Sequence, residues 1–253
     1  MQLKNSVIAI TGGGRGLGRA MALRFANQGA RLALIDRDET ALRDTVRACT
    51  AAGATAQAYG LDITDDAAVE ATFARIRSDF GQLNALINNA GIMQDGLLIK
   101  LQDGRVEKKM SAAQFRQVID INLTGSFLCG REAAAMMAEA GTGGVIINMA
   151  SVSRSGNMGQ SNYAASKAGV SALVVTWAKE LARYGIRVAG IAPGAIATDM
   201  TAQMKPEALQ RLEQTAMVRR LGEQEEIAHS AQYILENDFY TGRVLEIDGG
   251  TRI

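Results

Sequence analysis

The sequence predicts an α/β fold: a single-domain Rossmann fold, with a doubly wound parallel sheet of about seven strands and helices on both faces. Three observations predict it. Short apolar segments alternate with amphipathic ones along the whole chain; the apolar segments carry Val, Ile and Ala on both faces; and a glycine-rich turn follows the first of them. With 253 residues, 47% of them hydrophobic, the chain is long enough to bury one substantial core.

The first strand is expected at 6–11, SVIAIT, and GGGRGLG (Gly12 to Gly18) follows at once. The pattern Ala20, Leu23, Phe25, Ala26 then marks a helix over 17–28. Glycines in a strand-to-helix turn let the backbone bend tightly and bring helix N-terminal amides close to a pyrophosphate. The spacing Gly12-x-x-x-Gly16-x-Gly18 is one residue wider than GxGxxG, so alone it is compatible with a ligand-free turn. The second strand, 31–35, ends on Asp36, about 20 residues beyond the glycines, where a carboxylate holds adenosine ribose hydroxyls. Together the two features point to a dinucleotide.

The remaining strands are expected at 54–60, 83–88, 144–149, 186–192 and 243–247, and the helices at 38–51, 66–79, 111–139, 161–184, 205–215 and 224–236. Right-handed crossovers would place ligands at the carboxyl ends of the strands. Asp62, Asn88 to Gly91, Ser151 and Pro193-Gly194 all fall there. Residues 97–109, LLIKLQDGRVEKK, alternate around Asp103-Gly104, a strong hairpin dipeptide. The expectation is a hairpin insertion carrying Lys100, Arg105, Lys108 and Lys109. It reads either as a solvated surface or as a basic patch for a phosphate-bearing substrate or a second subunit.

Tyr163 and Lys167, in YAASK, are four residues apart and so share a helix face. An isolated phenol titrates near pH 10, and a lysine one turn away would favour the phenolate. Such a tyrosine is a usable acid when a carbonyl receives hydride and a usable base in reverse. Ser151, just beyond 144–149, can hydrogen-bond the carbonyl oxygen as charge develops on it. Taken alone, a Tyr/Lys pair at this spacing is an ordinary surface feature; the glycine loop and Ser151 give it chemical meaning.

These motifs together resemble the short-chain dehydrogenase/reductase family, and more narrowly its 3-oxoacyl-[acyl-carrier-protein] reductases, over essentially the whole chain. The family's glycine motif appears as TGGGRGLG from Thr11, its NNAG as Asn88-Asn89-Ala90-Gly91, its asparagine as Asn122 in INLTG, and its serine, tyrosine and lysine as Ser151, Tyr163 and Lys167. The resemblance implies a catalytic set of Asn122, Ser151, Tyr163 and Lys167, in which Lys167 also holds the nicotinamide ribose and Asn122 a water. It implies cofactor contacts at Gly12, Arg15, Gly16, Leu17, Gly18, Asp36, Arg37, Asp62, Ile63, Asn89, Ala90, Gly91, Tyr163, Lys167, Pro193, Gly194, Ile196 and Thr198.

NAD(H) is the preferred cofactor, because Asp36 would repel the additional phosphate of NADP(H); Arg15 and Arg37 pull the other way and leave NADP(H) open. The expected reaction interconverts a ketone and a secondary alcohol. The leading substrate is a 3-oxoacyl thioester, the alternative a sugar or other small secondary alcohol. An acyl chain would lie under a covering segment at 195–220, with Met93, Leu97, Met149, Met158, Ala195, Met200, Met204 and Met217 as candidate lining or simply core. Positions that are basic in carrier-protein-docking relatives fall on Thr142 and Tyr184, beside Arg183, which keeps a coenzyme A thioester or a smaller ketone in play. The family pairs helices equivalent to 111–139 and 161–184 across subunits, implying a homotetramer or homodimer.

Other classes fit poorly. A non-enzymatic NAD sensor has no need of the Ser151, Tyr163 and Lys167 trio. A formal charge of +1 and 5% aromatic residues argue against nucleic acid. No apolar run approaches a membrane span, and MQLKNSVIAIT runs straight into the first strand without room for a signal peptide. Cys49 and Cys129 fall in separate helices without metal-ligand spacing, which suits a reduced cytoplasm and no metal site. His229, the only histidine, reads as structural.

Overall fold

A computed structural model describes residues 1–198, 201 and 206–251. Its main sheet has seven strands, all parallel: β1 (Val7–Thr11), β2 (Arg31–Asp36), β3 (Ala56–Gly60), β4 (Ala85–Asn88), β7 (Gly144–Met149), β8 (Ile186–Pro193) and β9 (Val244–Ile247). The order across the sheet is β3-β2-β1-β4-β7-β8-β9. The order in which successive strands are added therefore reverses beside β1, and the crevice between β1 and β4 opens at their carboxyl ends.

Alternation along β1 explains why the sheet needs helices on both faces. Ile8 and Ile10 pack in one cluster with α1 (Gly16–Asn27), α2 (Glu39–Ala51) and α8 (Gln224–Glu236), through Met21, Phe25, Leu42 and Ile227. Val7 and Ala9 point the other way, into Val69, Phe73, Cys129 and Trp177 of α3 (Asp66–Phe80), α5 (Gly125–Ala140) and α6 (Ser161–Leu181). All four β1 side chains have no exposed surface. At roughly 1.5–3 kcal/mol for each buried large apolar side chain, this burial favours the two-sided sheet. A seventh helix, α7, spans Pro206–Thr215.

The expected helix 111–139 is not uniform. It runs as α4 (Ala112–Ile119), then a π-helical turn over Asp120–Thr124, then α5. Such a bulge shifts the register of side chains around the axis, and it is the turn that carries Asn122. The expected helix 161–184 likewise finishes as a 3-10 turn over Ala182–Tyr184. Between β4 and α4, β5 (Ile99–Gln102) and β6 (Arg105–Lys109) form a separate antiparallel hairpin. Asp103 and Gly104 both have positive φ, 50° and 74°, as a two-residue turn matched to strand twist requires. Lys100 is bonded to Glu107 at 2.6 Å, so part of its basic charge is neutralised.

Candidate active site

The glycine turn is built for close approach of a ligand. Gly12 and Gly16 have φ of 65° and 52°, and a Cβ on Gly18 would collide with the Gly12 carbonyl oxygen. The N-cap of α1, Arg15, makes no side-chain cap, so no side chain occupies the first-turn amides. Leu17, half-buried, packs against the core below. Thr11 joins this turn to the next strand: its hydroxyl accepts from Asn89 N at 3.0 Å and Ala90 N at 3.1 Å. Asn89 Nδ2 answers with bonds to the Thr11 and Gly12 carbonyls, both at 3.1 Å. The bridging role of Thr11 depends on a contact 78 residues away and has no local signal in the sequence.

Asp36 lies at the end of β2 with both carboxylate oxygens engaged. Oδ2 accepts from Gly14 N and Oδ1 from Asp38 N, each at 3.1 Å. The carboxylate is thereby fixed at the rim of the glycine turn. Arg15, a candidate phosphate ligand, is bonded instead to Asp38, the N-cap of α2. The Ala41 N–H, then Arg15 and Arg37, hold Asp38 below its ordinary range. Arg37 is exposed and has no salt bridge among the described residues. Two carboxylates, Asp36 and Asp38, and one guanidinium without a salt bridge among the described residues, Arg37, thus follow one another at the end of β2.

Asp62 follows β3 and is exposed, its carboxylate accepting from Thr64 N at 3.0 Å and Thr64 Oγ1 at 2.8 Å; these bonds hold it below its ordinary range. Ile63 is buried against Gly125. On the other flank, Gly194 N donates to Ile247 O at 2.9 Å after Pro193 ends β8. Ile196 is buried, and Thr198 N donates to Thr201 Oγ1 at 2.8 Å.

Asn122 is wholly buried and clamps the loop after β4. Its Oδ1 accepts from Ile92 N at 2.8 Å, and its Nδ2 donates to Ile92 O at 3.0 Å and Ser166 Oγ at 3.1 Å. Its carbonyl accepts from Ser126 Oγ at 2.8 Å. A Cβ on Gly91 would lie 3.1 Å from Asn122 Oδ1 and 3.6 Å from Lys167 Nζ, so the glycine lets this loop pass close to the lysine.

Ser151, Tyr163 and Lys167 converge beside that clamp. Ser151 caps the 3-10 turn Val152–Ser155, its Oγ accepting from Ser153 N at 3.1 Å. Lys167 is buried, and its Nζ donates to Met149 O at 2.6 Å and lies 5.7 Å from the centre of the Tyr163 ring. Burial brings Lys167 down to about 8. The phenol lies above its ordinary value, not below it as the Tyr163/Lys167 spacing predicts. Burial raises Tyr163 above its ordinary value, hydrogen bonding with Ser151 opposes this, and Asp95 reinforces it. A phenol held protonated at neutral pH is a proton donor, the polarity needed at a carbonyl oxygen receiving hydride.

Of the proposed acyl lining, Met149 belongs to the core, while Met93, Leu97, Met158 and Met217 are exposed. Ala195 is half-buried. Met200 and Met204 lie outside the described residues. His229 is exposed on α8, and burial pushes the Cys49 and Cys129 thiols up to about 11 and about 12. Among the described residues no His, Cys, Asp and Glu group is arranged to hold a metal, and no helix is long and apolar enough to cross a membrane.

Known proteins are similar to this chain over nearly its whole length. A family model described as enoyl-(acyl carrier protein) reductase matches residues 12–252. The human 3-oxoacyl-[acyl-carrier-protein] reductase is 38% identical over 250 residues, covering 98% of this chain and 99% of that protein. Human (3R)-3-hydroxyacyl-CoA dehydrogenase is 34% identical over 260 residues, covering 98% and 96%. A solved 7α-hydroxysteroid dehydrogenase, complexed with NADH and 7-oxo glycochenodeoxycholic acid, matches with a TM-score of 0.91 at 32% identity, covering 99% of this chain and 95% of that one.

Proposed function

The chain belongs to the short-chain dehydrogenase/reductase family, whose enoyl-(acyl carrier protein) reductase model matches it, and on that premise we propose an NADH-dependent reductase of 3-oxoacyl thioesters. Its coarser activity is that of the family: an NAD(P)-linked oxidoreductase that interconverts a carbonyl and a CH–OH group. The observation that carries the reading is the convergence of Tyr163 with Ser151 and the buried Lys167, whose Nζ lies 5.7 Å from the centre of the Tyr163 ring.

When bound, the nicotinamide supplies the hydride. The chain's own residues do the rest. Ser151 donates a hydrogen bond to the substrate carbonyl oxygen, and Tyr163 delivers its proton to that oxygen as negative charge develops. Lys167, charged below about pH 8, stabilises the phenolate left behind. Asn122 keeps Ile92 and Gly91 in place, and with them the path of the loop past Lys167. Asp36, fixed by two backbone amides, favours NAD(H) over NADP(H).

Thioester substrates are favoured because the relatives include a 3-oxoacyl-[acyl-carrier-protein] reductase and a 3-hydroxyacyl-CoA dehydrogenase. The cations Arg105, Lys108 and Lys109, without a salt bridge among the described residues, suit the phosphate of such a substrate. A homotetramer or homodimer through α4, α5 and α6 is supported by exposed Phe115, Phe127 and Val175 on those helices. The substrate test is an NADH assay comparing acetoacetyl-coenzyme A, its carrier-protein counterpart, a simple 3-oxo ester, and a panel of steroid and sugar ketones. The highest kcat/KM for a thioester is expected; preferential turnover of a sugar or steroid ketone would remove the thioester assignment.

A further inference from the structure

The loop after β4 is stapled to the turn that carries Tyr163 by three hydrogen bonds. Gly96 N donates to Gly159 O at 2.8 Å, Asn162 Nδ2 to Gln94 O at 3.0 Å, and Gln160 Nε2 to Asp95 Oδ2 at 2.9 Å. Gln160 is 8% exposed, and its amide is fully committed: Oε1 accepts from Asn157 Nδ2 at 3.0 Å, and Nε2 also lies 3.9 Å from Met93 Sδ. Asp95 itself is exposed. Its Oδ1 accepts no hydrogen bond, and no lysine or arginine pairs with it, among the described residues. One oxygen is therefore anchored by a buried amide while the other is open. The anchor precedes Tyr163 by three residues, one helical turn.

We propose that Asp95 is a specificity-determining residue: its open oxygen accepts a hydrogen bond from a hydroxyl or amide N–H near the reacting carbonyl, and its charge excludes substrates that place a carboxylate there. The proposal rests on the ketone reductase reading and names the substrate chemistry of that same site. The carboxylate is tied to Gln160, the N-cap of the helix whose first turn carries Tyr163, and its negative charge acts on that phenol in the direction that raises it. An anion bound in front of that phenol would meet the same field. A neutral donor would satisfy the open oxygen instead, and a site built to hydrogen-bond such a group discriminates strongly against the analogue that lacks it. Polyol hydroxyls and the amides of a pantetheine-like arm share this chemistry.

The test uses full-length Asp95→Asn, which keeps an acceptor for Gln160. Three comparisons are made with NADH: a hydroxyketone against its deoxy analogue, a 3-oxo thioester of N-acetylcysteamine against an amide-free thioester, and a neutral ketone against its carboxylated counterpart. In the variant, the kcat/KM advantage of one donor-bearing substrate should fall about tenfold, and the carboxylated ketone should gain about tenfold on its neutral partner. The donor pair that responds identifies the source. Unchanged ratios in all three comparisons would overturn the proposal. Phenolate absorbance gives a substrate-free reading: Asp95→Asn should titrate Tyr163 at lower pH than the parent, with Tyr163→Phe marking the band. Failure of every ketone to turn over in the parent would refute the reductase reading and this proposal with it, whereas turnover in the parent with all three ratios unchanged in the variant would overturn the proposal alone.

Discussion

Replacing Asn122 with alanine removes three hydrogen bonds that end on one buried side chain, two to Ile92 and one to Ser166. At about 0.5–1.5 kcal/mol net for each, the loss is roughly 3 kcal/mol. For a chain of this size that corresponds to a Tm lower by about 6–12 °C. The damage should not be confined to stability. Ile92 follows Gly91, and Gly91 is the point where the loop passes Lys167, so releasing Ile92 loosens the path beside the buried ammonium. Thermal unfolding at fixed protein concentration, with NADH titration on the same samples, separates the effects. NADH affinity and turnover should both fall in folded Asn122→Ala at 25 °C. A Tm within about 2 °C of the parent, with unchanged turnover, would refute the reasoning, because it would mean the three bonds hold nothing in place.

Two further outcomes follow from the same geometry. Asp36→Ala should weaken NADH and strengthen NADPH binding, measured as dissociation constants; tighter NADPH binding by the parent would contradict the role given to Asp36. Burial has brought the Lys167 ammonium down to about 8, so it is charged below that pH and neutral above it. A reduction rate that needs the cation should therefore be full below about pH 8 and fall as pH rises through it. A kcat profile flat to pH 10 would show that the charge on Lys167 is not used.

The sheet was legible in the sequence because both faces of the central strands β1, β2, β4, β7 and β8 are buried, which makes those segments continuously apolar and easy to place. The π turn at Asp120–Thr124 was not. The apolar pattern of 111–139 is that of an ordinary helix, and the bulge has no composition of its own. Among the site residues, Asp36 was placed by its distance from the glycines and Tyr163 with Lys167 by helical spacing, both local quantities. The direction of the Tyr163 displacement has no local signal, because spacing gives neighbours along a helix but not burial, and burial is the largest cause of the rise. Thr11 bonding to Asn89 and Ala90, and Gln160 holding Asp95, join segments 65 or more residues apart, and only the folded chain brings them together.

The central claim is that Tyr163 is the proton donor of a carbonyl reductase, and Tyr163→Phe tests it most directly because the ring stays while the hydroxyl goes. NADH binding and turnover are measured on the same preparation, with the best ketone of the panel. NADH affinity within a few-fold of the parent and a kcat lower by about 100-fold or more are the predicted results. Turnover close to that of the parent would contradict the account, since another group would then have to supply the proton.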